Sequence, residues 1–348
     1  MSIVSYRKSI YVLVLYHAIF VTISFYNYFH YPGDVATYWQ HNPQLYSWHQ
    51  LISPGTNLIR LICYPFASIL KLPIWTGFLF FGLIGWYAIY RFWRFMNAFL
   101  DYKYKFLAFV LALLPSLHYW NSLIGKEPIC FLLTVLSIEN LFKKKSSHFL
   151  FFSMCHAMIR PHYAFILILS YLLTLLFDKK LKPQYKITAV AVFSLLGMLF
   201  YNLLDRITNL KPDPISALSR IYNRHIEVFR ETDAYVPLDQ YALPYKIFTF
   251  YFRPFPWEKI RWDYVAAGFE NMVLLVLFLY GLFIWLKERK WKHLDQRDFF
   301  IIIYFFIFAT VFAYAYANFG IILRTKIMAL PFFYLFFYRC RTTCRKLE

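Results

Sequence analysis

Glycine is scarce in this chain, ten residues in 348, and none of them builds a glycine-rich phosphate loop. Without such a loop no backbone cradle for nucleotide phosphates is encoded, which argues against transport driven by nucleotide hydrolysis within this chain. The five cysteines (Cys63, Cys130, Cys155, Cys340 and Cys344) are scattered, so neither a disulfide framework nor a credible zinc set can be drawn from them. Acidic residues number 18 against 37 lysines and arginines, and they nowhere form the dense cluster that a required metal ion calls for. Internal repeats, low-complexity tracts and polar linkers are missing as well. The expectation is a single integral membrane domain over 1–348 with no cofactor and no metal.

What the chain has in excess is apolar and aromatic surface: 60% hydrophobic residues and 23% aromatics, with only 16% charged. A soluble domain of this length cannot hide so much apolar surface, whereas a bilayer accepts it. The formal net charge of +19 does not form one patch suited to nucleic acid. It is divided into short clusters beside apolar stretches, where cytoplasmic anchors face anionic lipid. The expected fold is therefore all-α, a polytopic transmembrane helical bundle.

Periodicity and apolar runs predict helices at about 9–29, 73–92, 105–118, 126–142, 148–160, 163–178, 186–205, 265–287, 298–317 and 321–339, about ten spans in all. With the N-terminus inside, every dense basic cluster falls on the same side. These include Arg91 to Lys105, Lys143 to Lys145, Lys179 to Lys186, Lys287 to Arg297, and the tail 340–348. Both termini are accordingly expected in the cytoplasm, with the chain in a bacterial inner membrane. The first apolar stretch lacks a small-residue cleavage site and reads as a retained helix.

Two outer segments are long, about 30–72 and 206–264. The first ends in an apolar piece, 57–70, interrupted by Arg60 and Pro65, which reads as an interfacial or re-entrant helix. Within the second, Leu218, Tyr222, His225 and Phe229 recur at helical spacing. Arg220, Arg224, Glu227 and Glu231 fall on another face, the pattern of an amphipathic helix.

Four groups of charges depart from the membrane pattern. Asp34, after Pro32 and Gly33 and before Tyr38, is placed to act as a general base on an acceptor hydroxyl, or else is a turn aspartate. Lys126 and Glu127 follow Trp120, Asn121 and Ser122 at the start of an apolar helix. There Lys126 can hold a phosphate beside helical N–H groups, or snorkel while Glu127 complements the helix dipole. Arg160 precedes Pro161 and His162 after an apolar helix of about thirteen residues. That helix rises about 20 Å, so Arg160 sits below the outer surface. It needs an anion there, either a substrate phosphate or a carboxylate such as Glu127 or Glu270. The fourth group joins Arg253, Trp257 and Glu258, closing the second outer segment, with Glu270 and with Asn318, Arg324 and Lys326.

Together these residues describe an outward cavity. Lys126, Arg160, Arg253, Arg324 and Lys326 supply cations for a phosphate or pyrophosphate. Asp34, His162 and Glu127 supply groups able to move a proton, and Tyr38, Trp120 and Trp257 supply aromatic walls for sugar rings or a prenyl tail.

At these same residues the chain resembles a loose set of uncharacterised bacterial polytopic inner-membrane proteins of surface-polysaccharide synthesis. The matching patches are Trp120 to Ser122 with Gly125 to Glu127, Ile159 to His162, Arg253 to Glu258 with Glu270 and Asn271, and Asn318 to Gly320 with Arg324, Lys326 and Pro331. More distantly, the first outer segment with Asp34 resembles that of glycosyltransferases of the GT-C type, which carry a pair of acids where this chain has one. The long second segment and lone arginines resemble O-antigen polymerases. The resemblance implies a polyprenyl-linked glycan as substrate, membrane lipid as surroundings, and other polysaccharide-assembly proteins as partners. Three functions are consistent with the residues: a glycosyltransferase or polymerase, a flippase for lipid-linked glycans, and a non-catalytic subunit of an assembly complex.

Overall fold

A computed structural model describes residues 3–39, 47–178, 181–208 and 213–340. Among the described residues the chain is helical throughout, with two isolated β-bridges and no strand. Each of the ten apolar stretches is helical over most of its described length. Among the described residues three helices are long and apolar enough to cross a membrane, Lys8–Tyr28, Trp262–Lys287 and Gln296–Ala315; the bent pair Phe319–Lys326 and Leu330–Tyr338 adds a fourth if counted as one. In the other stretches prolines and turns divide the helix, or glycine and polar residues dilute its apolar character. The stretch at 105–118 breaks before Pro115, and that at 321–339 bends by 47° ahead of Pro331. The chain folds as two compact units, 1–165 with 338–348, and 166–337.

The first unit contains α1 (Ile3–Tyr28), α2 (Gly33–Trp39), α3 (Thr56–Tyr64), α4 (Ile74–Phe99), α5 (Lys105–Ala112), α6 (Pro115–Trp120), α7 (Glu127–Phe142), α8 (Ser146–Ala157) and the first turn of α9 (Pro161–Leu176). Helix α4 is the centrepiece, lying against α1, α5, α6 and α7, while α7 pairs with α8. Its Phe81, Ile89, Phe92, Trp93 and Met96 are buried, and Phe92 meets Phe131 of α7 with ring centroids 5.7 Å apart. At the other side of α4 small residues let backbones approach, as between helices in lipid. A Cβ on Gly85 would lie 1.9 Å from the Asn121 carbonyl oxygen. The expected interfacial helix at 57–70 is shorter than its apolar run: α3 stops at Tyr64, and Pro65 opens a single wide turn in which Leu70 N–H bonds the Pro65 carbonyl.

This unit has two chemically different ends. At one end Glu139 of α7 takes Arg91 of α4 and Lys143, each at 2.6 Å. The strip after α4 pairs there with the strip after Tyr338, through Leu100 with Arg339 and through Asp101 N–H to the Tyr338 carbonyl. Three basic clusters, near 91–105, 143–145 and 339, thus share one end. At the opposite end of α4, a Cβ on Gly77 would meet the Trp39 ring at 2.4 Å and Ile124 at 2.7 Å. From Gly77 to Arg91 the helix rises about 21 Å. The acid-and-cation residues lie near the Gly77 end.

The second unit contains the rest of α9, then α10 (Pro183–Thr208), α11 (Pro214–Arg230), α12 (Leu243–Phe252), α13 (Trp262–Lys287), α14 (Gln296–Ala315), α15 (Phe319–Lys326) and α16 (Leu330–Tyr338). Its core is an aromatic stack: Tyr251 on Phe305 and Phe305 on Phe333, each at 3.9 Å. Buried tyrosine hydroxyls satisfy main-chain carbonyls, Tyr251 donating to Phe305 and Tyr304 to Met328 at the α15–α16 bend. Pro331, the second residue of α16, has no N–H to continue the ladder, and the Tyr304 hydroxyl meets a carbonyl at the bend. Helix α11 is amphipathic as expected: Tyr222 and Phe229 lie by Tyr314 and Tyr316, while Arg220, Arg224 and Glu227 are exposed. The side chains of Leu218 and His225 lie outside the described set. Exposed apolar stripes run along α1 (Tyr11, Leu15, Ile19 and Tyr26) and α13 (Phe269, Val273, Val276, Tyr280 and Phe283), surfaces suited to lipid.

Candidate functional site

The first unit gathers three of the four charge groups into one place. Helix α8 ends at Ala157 and α9 begins at Pro161, so Arg160 stands in the break where its side chain can turn inward. Its Nη2 donates to Glu127 Oε1 at 2.5 Å, and its Nη1 donates to the Tyr163 hydroxyl at 3.4 Å. The Tyr163 ring lies beneath the guanidinium at 5.1 Å, a cation–π contact. Both members of the Arg160–Glu127 pair are buried, so each charge depends on the other to offset its desolvation.

Glu127 opens α7, where its charge complements the helix dipole, and Pro128 occupies the first turn without wasting a needed N–H. Lys126 caps that helix half-buried, and its Nζ donates to Thr56 Oγ1 at 3.0 Å, tying α3 to the α7 start. Gly125 fits between Tyr38 of α2 and the second Glu127 oxygen: an added Cβ would lie 3.4 and 3.2 Å from them. Asp34, exposed at the start of α2, is near enough to act electrostatically on Lys126, as are Arg160 and Glu127. The His162 ring packs edge-on against Tyr163 at 4.9 Å. Asp34, Tyr38, Lys126, Glu127, Arg160 and His162 therefore form one constellation: two fixed cations, two carboxylates, an imidazole and aromatic faces.

The fourth group assembles within the second unit. Arg253 donates to Glu258 at 2.6 Å, to the Tyr241 hydroxyl at 3.2 Å and to Thr249 at 3.3 Å, while Glu258 also accepts the Phe255 N–H. This clamp closes the 253–258 turn, which lies on α13 where a Cβ on Gly268 would meet Pro256 N at 2.4 Å. Asn271 holds the same turn through the Pro254 carbonyl and accepts from the fully buried Lys326, on which Glu270 also acts. Asn318 caps α15 through Ile321 N–H and donates to Thr232. Trp257 is exposed and stacks on Phe255. Arg324 is half-buried on α15, and Trp120, on α6 in the first unit, packs against Tyr119. In this group Arg253 and Lys326 are held mainly by the protein's own acceptors. A groove of about 340 Å³ between α9 and α10 is lined by Tyr171, Leu175 and Val192 and contains no candidate residue.

Several contributors escape sequence reasoning. Thr56 and Tyr163 carry no local signal, because the first acts on a partner 70 residues away and the second acts through ring placement. His156 is fully buried, and neither of its ring nitrogens has a hydrogen-bond partner among the described residues. It lies edge-on to Tyr163 at 5.4 Å, close enough for Arg160 and His162 to act on it. Lys246 of α12 sits 4.0 Å from the Tyr314 ring centroid; burial draws its ammonium below the ordinary lysine range, with Asp239 opposing.

No family model matches the chain, no curated protein matches it, and no solved structure matches it.

Proposed function

We propose that this protein is a membrane glycosyltransferase or polysaccharide polymerase. It would use a polyprenyl-(pyro)phosphate-linked sugar on the extracytoplasmic face of a bacterial inner membrane, with both termini inside and about ten membrane-embedded helical stretches. The observation that carries this reading is the convergence of Asp34, Lys126, Glu127, Arg160 and His162 at the end of α4 remote from the basic clusters. Lys126 and Arg160 bind the donor phosphate and stabilise the charge that grows on it as the anomeric C–O bond breaks. Asp34 accepts the proton of the acceptor hydroxyl as its oxygen bonds the anomeric carbon, and polyprenyl (pyro)phosphate leaves. His162 is the second candidate for that proton. Glu127 positions Arg160. Tyr38 and Tyr163 offer faces to sugar rings. Membrane lipid surrounds the protein, other assembly proteins are its partners, and nucleic acid is not.

The test is mass spectrometry of lipid extracts from cells lacking the gene, with an impermeant label reporting sidedness. Single lipid-linked repeat units accumulating on the outer face are expected. The same units trapped inside would replace this reading by a flippase, which the broken helices α5–α6 and α15–α16 would also suit. No accumulation would leave a scaffold subunit. A Lys126→Ala variant is expected to retain its fold, since its Nζ makes one hydrogen bond to Thr56, yet to lose at least about tenfold in transfer. Orientation is checked separately with single added cysteines. Tyr31→Cys, exposed before α2, is expected to react only from outside, and Lys144→Cys, exposed in the α7–α8 turn, only from inside. Labelling of both from one side would overturn the topology.

A further inference from the structure

Away from the candidate site, two histidines 101 residues apart meet inside the first unit. His17 of α1 and His118 of α6 are both buried, and their Nδ1 atoms face each other at 3.0 Å. The remaining nitrogen of each ring meets a main-chain carbonyl: His17 Nε2 lies 2.9 Å from the Gly82 oxygen of α4, and His118 Nε2 lies 2.7 Å from the Ala112 oxygen. Both placements have a local cause. Pro115 interrupts the ladder between α5 and α6 and releases the Ala112 carbonyl, which the His118 ring then caps. Gly82 leaves α4 open to α1, since a Cβ there would lie 2.7 Å from Val21.

The bonding pattern counts protons. A carbonyl oxygen only accepts, so both Nε2 atoms must carry hydrogen. Two neutral rings would then present two bare lone pairs to each other at 3.0 Å. Moving a hydrogen onto one Nδ1 repairs that contact but leaves the same ring's Nε2 lone pair against a carbonyl. Flipping either ring presents carbon to both of its partners. Only three hydrogens on the two rings satisfy all four nitrogens.

We infer that His17 and His118 form a proton-binding site, in which one proton is shared between the facing Nδ1 atoms and the pair carries a single positive charge. The ligand is a proton and nothing larger. A metal ion bridging two imidazoles needs about 2.0–2.1 Å to each nitrogen, more room than 3.0 Å allows. Loss of hydration is the cost of this charge. It is offset by delocalisation over two rings, by charge-assisted bonds to two carbonyls, and by the absence of any bare buried nitrogen. Packed against the pair are the rings of Tyr16 and Phe20 of α1, with Tyr16 4.7 Å from His118 and the one titratable neighbour among these contacts. Among the described residues no carboxylate, lysine or arginine acts on either ring. Release of the proton turns the α1–α6 contact from a bond into a repulsion, so occupancy of the site is coupled to how α1, α4 and α6 pack.

The test is nitrogen-15 NMR of histidine-labelled full-length protein in lipid bilayers near pH 7. The expected result is a scalar coupling between two histidine Nδ1 atoms, with hydrogen on both partner Nε2 atoms. Loss of this signal in His17→Asn assigns it to the pair. If that variant does not fold, His118→Asn serves the same purpose, and the parent spectrum still shows whether a coupled, doubly Nε2-protonated pair exists. A bare Nε2 on either ring, or no coupling between the Nδ1 atoms at this pH, would overturn the site.

Discussion

Replacing Arg160 with alanine should remove transfer activity and also lower stability, by about 3–5 kcal/mol, because buried Glu127 loses the guanidinium that offsets its desolvation. Activity loss in that variant alone therefore says little about chemistry. The informative variant is the double change Arg160→Met with Glu127→Gln, which removes both charges and keeps similar volume. Buried ion pairs replaced together by uncharged groups are often close to neutral in stability. The double variant is accordingly expected to recover most of the folded yield and thermal stability of the parent. Transfer is expected to stay at least about 100-fold down, the effect of deleting a donor that stabilises charge in a transition state. The measurements are melting of purified protein in detergent and conversion of lipid-linked repeat units in membranes. Were the double variant both stable and fully active, the pair would serve only to join the α7 start to the α8–α9 break, and the proposed phosphate site would be wrong.

Gly85→Ala should be among the most damaging small substitutions in the chain. By helix propensity alone the change is favourable by about 0.5–1 kcal/mol, since alanine is the better helix former. Packing decides the opposite. The new methyl would sit 1.9 Å from the Asn121 oxygen and 2.8 Å from its carbonyl carbon, both of them main-chain atoms that cannot swing aside like a side chain. Helix α4 and the turn before α7 must part, and overpacking of this kind costs about 1–3 kcal/mol or more. That turn leads to Lys126 and Glu127, so activity should fall with stability. Gly197→Ala in α10 is the control: among the described residues nothing lies within 4 Å of its added Cβ, and the propensity gain should appear unopposed. Equal melting temperatures for Gly85→Ala and the parent would contradict the close approach of α4 to residue 121.

The two variants probe two kinds of information. Apolar runs and prolines mark every helical stretch, and the prolines at 115, 128, 161, 183, 214 and 331 all stand within the first two residues of a helix. The number of spans is less legible, because hydropathy measures composition whereas spanning requires unbroken length. A run such as 105–118 reads as one segment until the chain bends between Ala112 and Pro115. Charges that depart from the membrane pattern are legible one at a time. Arg160 at a proline break needed an anion, and Glu127 was one of its possible partners.

Composition and pattern by themselves determined that the chain is helical, suited to a membrane, and unusual at a few charged positions. These properties follow from local periodicity and the cost of transferring side chains from water, which each segment carries on its own. Only the tertiary structure decided which charges meet: that Glu127 takes Arg160, that Arg91 and Lys143 share Glu139, that Asn271 receives Lys326, and that His17 faces His118. Pairing over such distances depends on how α1, α4, α6 and α7 pack. That packing is set by a few close backbone approaches, such as those at Gly82 and Gly85, which leave no periodic trace in the sequence.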